Sequence, residues 1–420
     1  MTDISQQTLS MPLSLRVRLS GIMFLQFMTM PVWFNTFIPY FQTLPGGERW
    51  TAWCGMLMGF GMLVSPVLCM FADRLFNAEK VLAACNFVCA ALLGACYFTR
   101  SPAELFFLLL AVTLVYMPTW SLVSALAMAN ATPATFPHIR VFGSVGWICS
   151  AVFSVAGIKF LGIENFDKSP LIFAAAAGVS VTAGVLSLFL PATPPKGGDQ
   201  PFSVADALGL KAFSLFRNKE FFVFGTILVL SMIPFQWYLS YNTMYLDEVG
   251  FRYLSLMQNL GQVGELALML ALPFIFRKCG YKWAMVGGIG ALALRYAFFY
   301  AATAFKIPAL DFAGILLHGV VFGMLIVGAQ MYVDSIAPLE LRNQAQGLVM
   351  TLTGGIGVFL SVNIFDSILK THTLPGGGHD WSFPFLVAFA IAFVLTVLMA
   401  VFFRPARTRS QSDQPAAAGD

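Results

Sequence analysis

Charged residues are scarce in this chain. Asp, Glu, Lys and Arg make up only 10% of its 420 residues, whereas a soluble domain holds about 25%. Hydrophobic residues make up 58% of the chain, and 42 residues are Phe. This composition excludes an ordinary soluble domain and predicts a protein embedded in a lipid bilayer. The net charge of +4 is small, so we expect no nucleic acid as a partner.

Histidine is also scarce, and the cysteines form no motif. The seven cysteines include no CxxC pair and none lies near a histidine in sequence. We therefore interpret them as small residues of the apolar core and expect no metal site, cofactor or disulfide framework. The scattered histidines give no nucleophile with a positioned base, which argues against an enzyme. They are His138, His318, His372 and His379.

Apolar runs of the length needed to cross a bilayer, about 20 residues, recur along the chain. The longest break between them, residues 191–219, contains several Pro and Gly residues and then an amphipathic run over 203–216. We therefore predict an all-α membrane protein of two six-helix halves, residues 1–190 and 220–403, with a cytoplasmic linker at 191–219 and a polar tail at 404–420. The twelve predicted transmembrane helices lie at residues 20–40, 51–72, 80–98, 104–129, 139–160, 171–190, 220–245, 254–276, 282–304, 309–333, 343–369 and 382–403.

The basic residues indicate which side of the membrane each loop faces. If both termini are cytoplasmic, sixteen of the 24 Lys and Arg residues lie in cytoplasmic segments or at cytoplasmic span ends, and seven lie in outer loops. Cytoplasmic loops are generally enriched in Lys and Arg, so we predict that both termini are cytoplasmic. The remaining basic residue, Arg295, lies within the ninth span.

The two halves carry matching basic turns. Asp73-Arg74 follows the second span and Arg277-Lys278 follows the eighth, while Arg140 and Arg342 follow the fourth and the tenth. Six-span halves of this kind are the layout of major facilitator transporters, whose substrate site lies near the midplane between the halves. We therefore predict the major facilitator fold and expect Asp73-Arg74 and Arg342 to act as conformational latches or topology determinants.

The eighth span carries polar residues at a helical spacing within an apolar sequence. Gln258, Gln262 and Glu265 lie at i, i+4 and i+7, so on a helix they form one polar stripe. An unpaired carboxyl group inside a bilayer costs at least about 2.5 kcal/mol, so it is tolerated where it faces a water-filled cavity or a partner. Because Glu265 is the only carboxylate well inside any predicted span, we predict that it has a functional role.

Four other spans repeat this spacing. Most of these stripes combine hydrogen-bonding groups with an aromatic or a small side chain, which suits a flat small molecule with polar edges. The stripes are Arg140, Ser144 and Trp147 in the fifth span, Gln236, Ser240 and Thr243 in the seventh, His318, Phe322 and Leu325 in the tenth, and Gln26, Met30 and Trp33 in the first.

Structural interpretations of several polar residues remain open at this point. Gln26, Ser240 and Thr243 are typical of contacts between membrane helices. Arg140 lies near a span end, where an Arg side chain can extend to the membrane surface. Arg295 could neutralise the acidic residue of the eighth span in a buried ion pair.

Several short motifs resemble those of the bacterial nucleoside:proton symporters, and the resemblance extends from the first span to the twelfth. The most specific are Tyr116-Met117-Pro118-Thr119 and Phe136-Pro137-His138-Ile139-Arg140. The others are Phe24-Leu25-Gln26-Phe27, Gly143 with Gly146-Trp147, the run from Leu208 to Lys219, and Ala345-Gln346-Gly347.

The resemblance implies a nucleoside site between the halves. Two residues depart from the family pattern, because Leu239 and Gly323 stand where members of the family have Asn and Asp. The missing acid removes one titratable group, so proton coupling would depend on Glu265, together with His318. The residues that the resemblance assigns to substrate binding are Arg140, Ser144, Trp147, Gln236, Gln262, Glu265, His318 and Phe322.

We therefore expect a monomeric, multi-pass nucleoside permease of the bacterial inner membrane that works by alternating access with proton symport. The alternatives are a proton-independent facilitator and a sugar or drug carrier of the same fold. A sensor would normally add a soluble output domain, and residues 405–420 form only a short polar tail.

Overall fold

The computed structural model describes residues 11–132, 135–194, 210–338 and 341–405. Some predictions fall outside this part of the chain. They concern the side chains of Asp73, Arg74 and Arg342, residues 195–209 of the linker with most of its amphipathic run, and residues 406–420 of the tail.

The described chain is helical almost throughout, and its one β-type pairing is an isolated bridge between Thr373 and His379. The prediction of an all-α protein is therefore confirmed. The α-helices are α1 Leu13–Phe34, α2 Phe37–Gln42, α3 Thr51–Leu75, α4 Ala78–Phe98, α5 Pro102–Asn130, α6 Phe136–Cys149, α7 Ala151–Lys159, α8 Leu171–Ser187, α9 Lys219–Glu248, α10 Leu254–Phe305, α11 Ala309–Leu316, α12 His318–Val321, α13 Gly328–Ile336, α14 Arg342–Met350, α15 Gly357–Thr371 and α16 Ser382–Phe402.

Nine helical stretches of the described residues are long and apolar enough to cross a membrane, and Leu171–Ser187 is a shorter apolar helix. Each overlaps a predicted span. Two further predicted spans, 51–72 and 254–276, are also helical in the structure. The nine stretches are Leu13–Gln42, Ala78–Phe98, Pro102–Asn130, Phe136–Lys159, Lys219–Glu248, Phe274–Phe305, Ala309–Ile336, Gln344–Thr371 and Ser382–Phe402.

Backbone breaks divide several of these helices. Gly280 has φ 70° and ψ 170° inside α10, a left-handed φ that glycine adopts without the usual steric cost. This break lies between the predicted eighth and ninth spans. The predicted tenth span is interrupted after Leu316 and continues through a π-helical turn at Phe322–Val327. Such turns often occur at functional sites.

The helices pack in two groups, α1 to α8 and α9 to α16. In the first group α1 packs on α6 and α8, and α4 packs on α5 and α8. In the second group α10 packs on α11, α12 and α16, and α9 packs on α15. The groups meet where α6 and α7 contact α10 and where α3 contacts α15.

Glycines allow the backbones of α10 and α12 to touch. A Cβ on Gly319 would overlap the backbone of Gly264 and Glu265, and a Cβ on Gly261 would lie 2.7 Å from the Cβ of His318. Side chains on both helices therefore project into the same space from adjacent backbones.

We predict that Gly319→Ala lowers the melting temperature of the purified protein. The new methyl group would have to separate two backbones, and such overpacking costs about 1–3 kcal/mol. Gly178→Ala is the matched control, because a Cβ on this helical glycine meets nothing within 4 Å. It should leave the melting temperature unchanged or raise it slightly. Equal effects of the two substitutions would contradict this account of the α10–α12 contact.

Candidate functional site

Four of the predicted site residues come together on α10, α12 and the π-helical turn that follows α12. The Nε2 atoms of Gln262 and His318 are 3.1 Å apart, and His318 Nε2 lies 3.8 Å from Glu265 Oε2. The Phe322 ring centroid lies 6.0 Å from that of His318. Glu265 is 8% exposed and His318 is 2% exposed. We call these four residues the C-terminal cluster.

Aromatic rings fix the position of His318. Its ring stacks with Tyr238 at 5.4 Å and with Phe235 at 6.1 Å between centroids. Both partners lie on α9. The imidazole edge therefore has little freedom to turn away from Gln262 and Glu265.

A second set of predicted residues lies on α6 in the other group of helices. The guanidinium of Arg140 lies over the Phe27 ring, 4.3 Å from its centroid, and a Cβ on Gly143 would lie 2.6 Å from Arg140 Nη1. The absence of a side chain at Gly143 therefore makes room for the guanidinium. Ser144 is half-buried one turn further along the helix.

Trp147 completes this second set. Its ring centroid is 6.0 Å from that of Trp120, which in turn stacks on Phe27 at 5.4 Å. Arg140 and Trp147 thus lie on one continuous aromatic surface. We call Arg140, Ser144 and Trp147 the N-terminal cluster.

The two clusters face each other where α6 meets α10. Arg140 is close enough to Glu265 for an electrostatic attraction between the two groups. Asn259 Nδ2 donates to the carbonyl oxygens of Trp147 at 3.1 Å and Ile148 at 3.3 Å. A cation, a carboxyl group, amide donors and flat aromatic rings therefore border one region between the groups.

Gln236 is the predicted site residue with no described contact to either cluster. Its Nε2 donates to the backbone oxygen of Thr353 at 3.1 Å, in a second π-helical turn, Thr351–Ile356. Its Oε1 makes no described hydrogen bond. The structure thus ties this side chain to the chain between α14 and α15.

Three other polar residues of the stripes make structural contacts. Gln26 is fully buried, donates to Thr119 Oγ1 at 2.5 Å and accepts from Asn86 Nδ2 at 2.9 Å. Ser240 donates to the backbone oxygen of Gly55 at 3.3 Å. Gln258 accepts from Asn242 Nδ2 at 2.6 Å. The helix-contact interpretation therefore holds for Gln26 and Ser240.

The suggested pairing of Arg295 with Glu265 is wrong. Arg295 lies over the ring of Tyr238, 4.0 Å from its centroid, and its Nε donates to the oxygen of Gly314 at 3.3 Å. Glu265 instead interacts with Arg140 and lies beside His318.

Several residues of the region were missed by the sequence analysis. Phe27 and Trp120 have no polar signal that would separate them from other aromatic residues. Asn259 follows Gln258 directly and was visible as a polar residue in an apolar span. Glu265 is also not the only buried carboxylate, because Asp311 is 3% exposed and accepts a hydrogen bond from Tyr245 at 2.8 Å.

Polar contacts also join the two groups at one end of the bundle, which we call the Asp167 end. Asn35 Nδ2 donates to Asn259 Oδ1 at 2.9 Å, and Asn259 Nδ2 donates to Ser150 Oγ at 2.9 Å. Lys168 forms a 2.8 Å ion pair with Asp247. These bonds connect α1 and the α6–α8 region with α9 and α10.

Asp167 itself is buried in this contact. Its Oδ2 accepts from Ser154 Oγ at 2.7 Å and from the backbone nitrogen of Ser255 at 3.5 Å. Burial raises the pKa of Asp167 from 3.8 to about 6, although the hydrogen bonds act in the opposite direction. The carboxyl group lies in a short connection, outside the candidate spans.

Comparison with known proteins identifies the family. The family described as Nucleoside H+ symporter matches residues 13–408. This chain belongs to that family. The family resemblance inferred from the short motifs is therefore confirmed, and the chain is a transporter, not an enzyme.

Individual relatives cover nearly the same length. The chain is 34% identical to YegT of Escherichia coli (strain K12), assigned as a nucleoside transporter, over 92% of this chain and 93% of that protein. It is 28% identical to the xanthosine permease of the same organism over 93% and 96%. The crystal structure of the nucleoside transporter NupG matches with a TM-score of 0.80 at 24% identity, over 93% of this chain and 100% of that one. This match shows the major facilitator fold.

We predict that Asp167→Asn removes part of the pH dependence of stability. The packed Asp167 binds a proton more tightly than an exposed one, so its protonation stabilises the folded state. This stabilisation is fully present below about pH 4 and is lost as the pH rises through about 6. A pKa shift from 3.8 to about 6 corresponds to about 3 kcal/mol in the free energy of unfolding. The melting temperature of the wild type should fall more between pH 5 and pH 7.5 than that of the variant. Parallel curves would contradict the assignment.

Proposed function

We propose that this chain takes up nucleosides across the bacterial inner membrane by alternating access, with proton symport. Membership of the family supports this, as do relatives described as a nucleoside transporter and a xanthosine permease. The observation that carries the proposal is the pair of facing clusters, because hydrogen-bonding groups and aromatic surfaces from both helix groups border one region. The affinity for a ligand that contacts both clusters would depend on how the two groups of helices are arranged.

The topology is part of the proposal. Twelve spans with both termini in the cytoplasm fit the distribution of basic residues. Each of the twelve predicted spans also overlaps a candidate crossing helix, a shorter apolar helix or another helix of the structure, with the eighth and ninth spans in the two parts of α10. Residues 1–190 and 220–403 form the two halves, with residues 191–219 as the linker. The Asp167 end then faces the outside. The chain acts as a monomer.

The chemistry of the clusters suggests how a nucleoside is held. Trp147 and Phe322 offer flat faces for stacking on the base. Gln262 and Glu265 offer donors and acceptors for the ribose hydroxyls or the base edge, and Ser144 adds a hydroxyl. Gln236 can contribute its Oε1 while its Nε2 remains bonded to Thr353.

Glu265 carries the coupled proton in this proposal, and His318 is its immediate neighbour. Arg140 favours the charged form of this buried carboxyl group, whereas burial favours the neutral form. Arg140 therefore binds substrate or adjusts the charge state of Glu265. Gly323 provides no acid of its own, which favours a facilitator as the alternative.

Uptake into proteoliposomes tests the function. Radiolabelled uridine, adenosine and xanthosine should accumulate when an inward proton gradient is imposed, and unlabelled nucleosides should compete. A sugar or drug that competes while no nucleoside does would overturn the substrate assignment. Uptake at the same rate with and without the proton gradient would contradict proton symport and indicate a facilitator.

We predict that Glu265→Gln abolishes gradient-driven accumulation but leaves part of the nucleoside exchange activity. The amide keeps the size and hydrogen-bonding edge of the side chain and cannot take up a proton. Glu220→Gln is the matched control, since Glu220 is exposed at the start of α9, and it should behave as the wild type. Accumulation by Glu265→Gln at the wild-type level would assign the proton to another group.

A further inference from the structure

Arg295 is a fully buried cation. Its Nε donates to Gly314, whereas its Nη1 and Nη2 make no hydrogen bond with the described residues. It also has no ion pair with an acidic residue in the described part of the chain. Burying a charge without such a partner is costly, so a guanidinium in this position needs an explanation other than stability.

Two contacts lead from Arg295 to His318. The guanidinium lies over the Tyr238 ring at 4.0 Å, and the same ring stacks with the His318 ring at 5.4 Å. A cation over an aromatic face is attracted by the ring and restrains its orientation. Because Tyr238 stacks on His318, a restraint on the Tyr238 ring also limits the orientation of the imidazole.

The second contact acts through the backbone. Gly314 lies in the last turn of α11, and the helix is interrupted at Leu317, immediately before His318. The carbonyl groups in the last turn of a helix lack intrahelical partners, and basic side chains often bind them. The bond from Arg295 to Gly314 therefore stabilises the C-terminal end of α11, which lies immediately before His318.

The orientation of His318 matters for the C-terminal cluster. Gln262 Nε2 can only donate a hydrogen bond, so its 3.1 Å contact needs an acceptor on His318 Nε2. A small rotation of the imidazole would break this bond and change the distance to Glu265. The orientation of the imidazole must consequently be restrained by contacts other than the one with Gln262.

We propose that Arg295 is a positioning residue for the substrate site, which holds the His318 ring through Tyr238 and Gly314 so that His318 Nε2 accepts the hydrogen bond from Gln262. Arg295 itself does not touch the substrate. The binding part of this inference rests on the proposed nucleoside function.

Nucleoside binding by purified variants tests the proposal. Arg295→Met should weaken binding about tenfold, a coupling typical of residues in one contact network. Its melting temperature should stay the same or rise, because a hydrophobic side chain replaces an uncompensated buried charge. Arg295→Lys keeps a cation near Tyr238 and should restore part of the affinity. Arg49→Met, at an exposed position, is the matched control and should bind as the wild type.

A double-mutant cycle shows whether Arg295 acts through His318. If it does, Arg295→Met should add little to the affinity loss of His318→Gln. Multiplicative losses in the double variant would overturn the proposal, as would wild-type affinity in Arg295→Met.

NMR of protein labelled with 15N-histidine gives a readout that needs no substrate. The imidazole signals of His318, assigned by their loss in His318→Gln, should shift in Arg295→Met while those of His138, His372 and His379 stay in place. Unchanged His318 signals would overturn the proposal even if Arg295→Met fails to bind nucleosides. A wild-type protein that binds no nucleoside, yet shows the His318 shift in the variant, would count against the proposed function and not against the role of Arg295.

Discussion

The attraction between Arg140 and Glu265 is the interaction on which the rest of the region depends. Each residue belongs to a different group of helices, and Glu265 is buried while Arg140 is half-buried. A buried charge whose partner is removed is strongly destabilising. The attraction therefore favours the contact between α6 and α10, and Asn259 reinforces that contact by donating to the backbone of α6.

The geometry around this pair depends on small residues as much as on polar ones. Gly143 leaves space for the guanidinium of Arg140, and Gly261 and Gly319 let α10 and α12 approach until Gln262 meets His318. In a membrane, where lipid competes equally well for apolar surfaces, such close approach is a main source of helix association. The same glycines that hold the helices together thus set the distances within the C-terminal cluster.

The sequence places Gln262 and Glu265 on one face of a helix by their spacing, and it predicts the positions of the helices from the lengths of its apolar runs. It predicts the break near Gly280 for the same reason. It does not reveal that Gln236 bonds to Thr353 or that Arg295 lies on Tyr238, since these contacts join residues far apart in the chain and depend on how helices rotate against each other. The interruption at Leu317 also escapes prediction, because no Pro marks it and the packing around His318 determines the backbone there.

The separation of the two clusters gives the proposed transport cycle a physical basis. If the halves part at the Asp167 end, Arg140 and Glu265 belong to bodies that move relative to each other, and the carboxylate loses part of its attraction to the cation. A carboxylate that loses a nearby cation in apolar surroundings is stabilised by taking up a proton. A nucleoside that bridges Trp147 and Phe322 would instead draw the same two bodies together. Both ligands would therefore act on one conformational equilibrium through the Arg140–Glu265 distance, the proton favouring parted halves and the nucleoside favouring closed ones.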